Sequence, residues 1–141
     1  MPTTTEVRVR YAETDQMGIV YYANYLVWFE IGRVELLRSM GLAYSQLEID
    51  HQTILPVVEA NCRYKSPARY DDRITIETRP SLVRGSVIKF AYRILREPSG
   101  EEQERKLLAE GETVHVVCDD QLNKKPLPPE HEAALRAMMA Q

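Results

Sequence analysis

The stretch Asn24-Tyr25-Leu26-Val27-Trp28-Phe29-Glu30-Ile31-Gly32-Arg33-Val34-Glu35-Leu36-Leu37-Arg38-Ser39-Met40, followed by Gly41, decides the architecture. Tyr25, Phe29, Gly32, Leu36 and Met40 form one apolar stripe at helical spacing, and Val27, Ile31 and Val34 form a second on the opposite side. A surface helix presents one apolar face, so two opposed faces mean burial on both sides. Gly32 costs ~1 kcal/mol in a helix interior relative to alanine, and it marks a point where another backbone comes close. Gly41 stands just past the last periodic residue, where helices commonly close. The spacing predicts one long helix over about Asn24 to Met40, wrapped rather than merely docked.

Outward from this helix the pattern changes. Upstream, Glu6 to Tyr11 alternate, with Val7, Val9 and Tyr11 on one face, and predict a short strand. Ala12 to Ala23 form a loop that carries Gly18. Downstream, Ala43 to Asp50 read as short helical or irregular chain, and beyond them a period of two takes over. Ile54 to Lys65 set Ala60, Cys62 and Tyr64 against Glu59, Asn61 and Arg63, with Pro56 marking an edge or a bulge. Ser66 to Asp72 read as a turn, followed by a strand through Ile74 and Ile76. Ile88, Phe90, Tyr92 and Ile94 alternate with Lys89, Ala91 and Arg93, and Glu97 to Arg105 make a hairpin loop. The last strand runs from about Lys106 to Cys118, with Val114, Val116 and Cys118 on one face. Three prolines then lead into a short amphipathic helix at about Glu130 to Met139.

Consecutive strands joined by short turns pair antiparallel. The expected fold is therefore α+β, one curled antiparallel sheet around one buried helix, in a single domain over residues 1–141. Such a sheet leaves an edge strand and a helix face that one chain cannot cover fully, so a homodimer is expected.

Composition narrows the partners. The 141 residues suit one core, and 44% hydrophobic with 28% charged residues is ordinary for a soluble chain. A formal charge of −3 argues against nucleic acid or an anionic membrane as the main partner. No apolar run approaches the ~20 residues of a membrane span. Met1 to Glu6 lack the basic and apolar segments of a signal peptide, so a cytoplasmic protein is expected. Cys62 and Cys118 lie far apart in strand-like segments and read as free thiols. Three histidines (His51, His115, His131) and these cysteines show no metal-ligand spacing, so neither metal nor cofactor is expected.

The chemistry is concentrated in Tyr11-Ala12-Glu13-Thr14-Asp15-Gln16-Met17-Gly18-Ile19-Val20-Tyr21-Tyr22-Ala23-Asn24-Tyr25. An acid, a glycine and a cluster of tyrosines lead directly into the helix start. The first N–H groups of a helix lack internal partners and carry the positive end of its dipole. Such an end can receive the oxygen of a carbonyl as it develops negative charge. A carboxylate just upstream, Asp15, can then attack the carbonyl carbon or deprotonate a water that does so. A thioester suits so sparse a site because its thiolate leaves without acid assistance. The same residues have a plainer reading: Asp15 as a turn former and Asn24 as the helix N-cap.

Residues 11–25 resemble the signature of the 4-hydroxybenzoyl-CoA thioesterase family and are similar to its Tol-Pal-associated acyl-CoA thioesterases. The likeness continues through the helix into Pro56 to Glu59, Tyr70 to Asp72 and Ile74 to Thr78. It implies the hotdog fold, a homodimer or homotetramer with active sites at the dimer interface, and acyl-CoA as substrate. Carried over, the catalytic carboxylate is Asp15, and the N–H that polarises the carbonyl is that of Tyr22. Tyr11, Gly18, Asn24 and Tyr25 are expected around the substrate, with Gly18 allowing close approach. Many similar sequences have histidine where this chain has Tyr22; the aromatic-acid branch has tyrosine. A backbone N–H is indifferent to that exchange, whereas acid–base help from the side chain is not.

The family holds the nucleotide phosphates with basic residues near the turn between the middle strands, where Arg84 stands here. Lys65, Arg69 and Arg79 are further candidates, each also readable as solvated surface charge. Glu59 either lines the substrate pocket or pairs with Arg63 or Lys65. Trp28 and Phe29 read as core, and His115 as a packed or solvated histidine. Two rival functions use the same fold. A dehydratase needs a histidine beside a carboxylate at the helix, and none lies within Asp15 to Met40. A non-catalytic acyl-CoA binder would show no turnover.

Overall fold

The computed structural model of the chain describes residues 2–42, 47 and 52–139. The stretch expected to be short helical or irregular chain, 43–50, lies outside them apart from Leu47. The order is β1 (Thr3–Arg8), a 3-10 turn (Tyr11–Glu13), α1 (Asn24–Ser39), β2 (Val57–Tyr64), β3 (Arg73–Arg84), β4 (Val87–Arg96), β5 (Lys106–Val116) and α2 (Pro129–Met139). The five strands form one antiparallel sheet in the order β1-β3-β4-β5-β2.

Helix α1 ends as its sequence requires. Met40 caps it, Gly41 takes φ +77°, and the N–H groups of Gly41 and Leu42 return to the carbonyls of Arg38 and Leu37. This pair of crossed bonds is the Schellman closure that glycine makes easy. At its other end the helix starts at Asn24, and Ala23 occupies the cap position with no side-chain bond. Asn24 is therefore not the N-cap.

The helix lies on the concave face of the sheet, packed chiefly on β3 and β1. Trp28, Phe29, Leu36 and Leu37 meet Ile74, Ile76, Ile88, Phe90, Ile94 and Leu108, all buried. Full burial of each such side chain contributes about 1.5–3 kcal/mol. One cross-strand row sets the depth of the helix. Thr3, Thr78, Tyr92, Gly111 and Cys62 stand side by side across the five strands. The ring of Phe29 stacks on Tyr92 with centroids 4.2 Å apart and planes 6° apart. It passes over Gly111, where a Cβ would meet the ring at 2.9 Å. A Cβ on Gly32 would run into the hydroxyl of Thr78 and stand 2.8 Å from Ile76 Cγ2. The close approach expected at Gly32 is thus between helix and sheet.

Several expectations need correction. The second helix stripe is only half covered by its own chain. Val27 is 43% exposed and its neighbour Leu26 40%, while Ile31 and Val34 are intermediate. Strand β1 ends at Arg8, and Tyr11 opens the 3-10 turn with its ring in solvent rather than on the face of Val7 and Val9. The segment from Ser66 to Asp72 is no hairpin turn, because β2 pairs with β5 at the far edge instead of with β3. In the second half of β5 the buried positions are Thr113 and His115, with Val114 and Val116 only half-buried. A buried histidine is tolerable there because both ring nitrogens are satisfied, Nε2 by Thr113 Oγ1 at 2.8 Å and Nδ1 by the Leu55 carbonyl at 2.9 Å. Both cysteines are free thiols.

Candidate active site

Between β1 and α1 the chain builds two small clamps in close order. The first is Glu13, charged yet only 7% exposed. Its Oε1 accepts the Arg10 N–H at 2.7 Å and its Oε2 accepts the indole N–H of Trp28 at 3.3 Å. Its main-chain carbonyl accepts both the Tyr21 N–H and the side-chain amide of Asn24, each at 2.9 Å. The amide of Asn24 is thereby engaged with the loop through one of its N–H groups. Sequence reasoning quoted Glu13 in the motif without seeing this role; an acid three residues after the turn's first cap residue, Arg10, was the available signal.

The second clamp is a tight hairpin headed by Asp15. Thr14 and Val20 form a bridge, the Asp15 N–H donates to the Ile19 carbonyl at 2.9 Å, and the Gly18 N–H donates to the Asp15 carbonyl at 3.0 Å. Gly18 adopts φ +79° with open space around it, so the backbone requires glycine there and no neighbour does. Asp15 Oδ1 accepts the Met17 N–H at 2.9 Å, the turn-forming bond of the plainer reading. Among the described residues no donor reaches Oδ2. One oxygen fixes the carboxylate and the other is available to chemistry.

The helix entrance leaves donors unused. The N–H groups of Asn24, Tyr25 and Leu26 bond back to the carbonyls of Tyr21, Tyr22 and Ala23. Among the described residues, no acceptor meets the N–H of Tyr22 or of Ala23. The Tyr22 carbonyl takes a second bond from Tyr64 Oη, at 3.0 Å, on the edge strand β2. Tyr22 and Tyr25 line a cavity of about 300 Å³ together with Ile19, Val20, Tyr64, Lys65, Ser66 and Pro67. Tyr25 is buried, and its hydroxyl accepts the Ala68 N–H at 3.1 Å. Burial raises the pKa of the Tyr25 and Tyr64 hydroxyls and of the Cys62 thiol. These groups stay protonated near neutral pH and serve as walls or donors, not as bases. The Tyr21 hydroxyl is also held above its usual value, first by its neighbour Tyr22 and more weakly by the charge of Asp15.

Other expected site residues fall elsewhere. Tyr11 is exposed and meets Tyr70 edge to face at 5.6 Å. Glu59 lies on the outer face of β2 with Asn61 and Arg63, where Lys65 pairs instead with Glu110 at 3.6 Å. Arg84 ends β3 at its turn into β4, eleven residues beyond Arg73, whose end of the strand adjoins the Asp15 loop. At about 3.3 Å per residue that separates Arg84 from the loop by roughly 35 Å within one chain. A larger groove, about 540 Å³, lies on the outer sheet face. Its floor is Ala91 and its walls are charged, including the row Glu77, Arg93, Glu110 and Arg63. Salt bridges already engage three of these four, so the smaller cavity at the helix entrance is the better candidate for chemistry.

A long helix held in the concavity of a five-stranded antiparallel sheet, entered from a clamped loop that carries Asp15, is the arrangement of a hotdog-fold thioester hydrolase. YneP of Bacillus subtilis is 40% identical over 122 residues, covering 86% of this chain and 83% of its own length. The acyl-CoA thioester hydrolase YbgC of Escherichia coli O6:H1 is 36% identical over 120 residues, covering 85% of this chain and 84% of its own. Among solved structures, the hypothetical protein TT1821 from Thermus thermophilus superposes with a TM-score of 0.84 at 34% identity, over 96% of this chain and 98% of its own. Residues 9–135 match the Thioesterase-like superfamily, and the chain belongs to it.

Proposed function

We propose that this protein hydrolyses acyl-CoA thioesters to the free acid and CoA, with Asp15 and the N–H of Tyr22 as its catalytic groups. The observation that carries the reading is Tyr22, which borders an aromatic-walled cavity on the same clamped loop as Asp15 and whose N–H meets no acceptor among the described residues. YbgC, named an acyl-CoA thioester hydrolase, supports CoA as the thiol carrier. Attack on the thioester carbon comes either from a water whose proton passes to Asp15 or from the Asp15 carboxylate itself, giving a mixed anhydride that water then opens. By either route the C–S bond breaks and CoA leaves as its thiolate. The charge gathered on the carbonyl oxygen is met by the Tyr22 N–H, and a single such donor is worth roughly a hundred- to a thousandfold in rate.

The working unit in this reading is a homodimer formed across β2. That strand is an edge, and Val57, Val58, Leu26 and Val27 are all at least 40% exposed. A second copy covering them closes the cavity and offers a route by which Arg84 of one chain reaches CoA phosphates at the other. Light scattering on the eluted protein tests the assembly; a monomer at micromolar concentration removes it. For the chemistry, Asp15→Asn is expected to lower turnover about a hundredfold or more with acyl-CoA binding largely kept. Thiol release across short, long and aromatic acyl-CoAs supplies the assay. Unchanged turnover removes Asp15 from the mechanism.

A further inference from the structure

We infer that Glu13 is a positioning residue that sets the spacing between the carboxylate of Asp15 and the N–H of Tyr22. This rests on the catalytic reading of those two groups given above. Buried carboxylates are costly unless every lone pair they turn inward is met, and Glu13 is met from two separate elements. Arg10 belongs to the chain just before the loop, and Trp28 lies in the second turn of α1. The indole of Trp28 is itself fixed, 1% exposed and 4.8 Å from the ring of Tyr25. Through its side chain, then, Glu13 ties the start of the loop to the rigid helix.

Its main chain does the remaining work. The single carbonyl of Glu13 accepts from Tyr21 and from the Asn24 side chain, the residues on either side of Tyr22 and Ala23. Those two intervening residues are the ones whose N–H groups meet no acceptor among the described residues. Asp15 follows Glu13 by two residues in the same loop. One residue therefore holds the start of the carboxylate's hairpin and the amide's turn against a common support, while Ala68, which accepts from Val20 and donates to Tyr25, braces the hairpin's other side. A loss of this support moves the two groups relative to each other before it unfolds the domain. The reactive geometry tolerates little of that, since misplacement by about 1 Å is enough to cost about a hundredfold in rate.

The test is a kinetic cycle on the full-length protein with whichever acyl-CoA from the thiol-release screen turns over fastest. Glu13→Gln presents an NH₂ to one of the two donors and breaks that arm; Trp28→Phe removes the helix arm from the other side. Each is expected to lower kcat about ten- to thirtyfold with KM within about threefold. The double variant should fall no further than the worse single one, since both cut the same tether. Assays are run well below each variant's melting temperature, so that loss of stability alone leaves kcat unmoved. Should Glu13→Gln fail to fold, Trp28→Phe alone decides by the same kcat criterion. Unchanged kcat in a folded variant, or strictly multiplicative losses in the double variant, overturns the positioning role. Asp15→Asn is measured in parallel. If it keeps full turnover, the catalytic reading falls and the tether's purpose with it. If it is inactive while Glu13→Gln works normally, only the positioning role is lost.

Discussion

The hydroxyl of Tyr64 donates a 3.0 Å hydrogen bond to the carbonyl of Tyr22, joining the end of the edge strand to the turn before α1 across 42 positions of sequence. The same carbonyl accepts the Tyr25 N–H at 3.2 Å, so the peptide that follows Tyr22 is held from two sides. Tyr64 also meets the rings of Tyr25 and Tyr22 edge-on, at 5.0 and 6.3 Å. Strand and helix entrance thus move as one piece.

Tyr64→Phe keeps the ring contacts and deletes this bond together with the hydroxyl's contact to the Cys62 thiol. A neutral hydrogen bond contributes about 0.5–1.5 kcal/mol net. If that energy is spent on holding the Tyr22 turn, kcat falls roughly two- to tenfold while the melting temperature shifts by a few degrees at most. Steady-state kinetics with calorimetry on the same preparation checks this. A stability loss with normal kcat would limit Tyr64 to structural support.

Gly32→Ala is expected to destabilise the fold by about 1–3 kcal/mol, because its methyl group has no room beneath the helix. Thr78 offers a specific relief. Its buried hydroxyl has no hydrogen-bond partner among the described residues, so it can be removed without orphaning a neighbour. Thr78→Ala should recover part of the Gly32→Ala loss, a coupling of about 1 kcal/mol or more in a double-mutant cycle read by urea denaturation. Additive losses would mean that Ile76, not Thr78, sets the limit.

His115 makes the domain acid-sensitive. Burial holds its pKa down to about 4, the nearby charge of Arg33 adds to this, and the bond to the Leu55 carbonyl partly opposes it. In the unfolded chain the ordinary value is about 6.5. Above pH 6.5 both states are neutral and the residue has no effect on the pH dependence. Between 6.5 and 4 the unfolded state takes up the proton first, so stability falls as pH falls, by on the order of 3 kcal/mol once pH 4 is passed. Chemical denaturation from pH 7 to 4, compared with His115→Gln, should show the steeper decline in the wild type. Parallel curves would assign the acid sensitivity to other groups.

Much of this was legible in order of how local the determinants are. The span of α1, its glycine closure and the tight point at Gly32 follow from residues within one segment, and the structure agrees to within a residue. Pairing of β2 with β5 depends on where the chain goes between Tyr64 and Arg73, and alternation within a strand carries no such information. Alternation set His115 apart from Val114 and Val116 but left open whether it is packed or solvated, and the structure packs it. His115 is inside only because Thr113 and Leu55, in different segments, meet its two nitrogens. For the same reason Glu13 went unnoticed: an acid reads as surface until the indole that satisfies it is placed beside it.

The stacking of Phe29 over Gly111 bears on how this scaffold can be re-tooled. With the ring flat against Tyr92 and no side chain tolerated beneath it, the floor under the helix is incompressible, and changes there will register as poor expression before they register as altered selectivity. An engineer seeking a wider or narrower acyl range has freedom instead at the rim, where Ile19, Ser66 and Pro67 border the opening and carry none of the seating of α1.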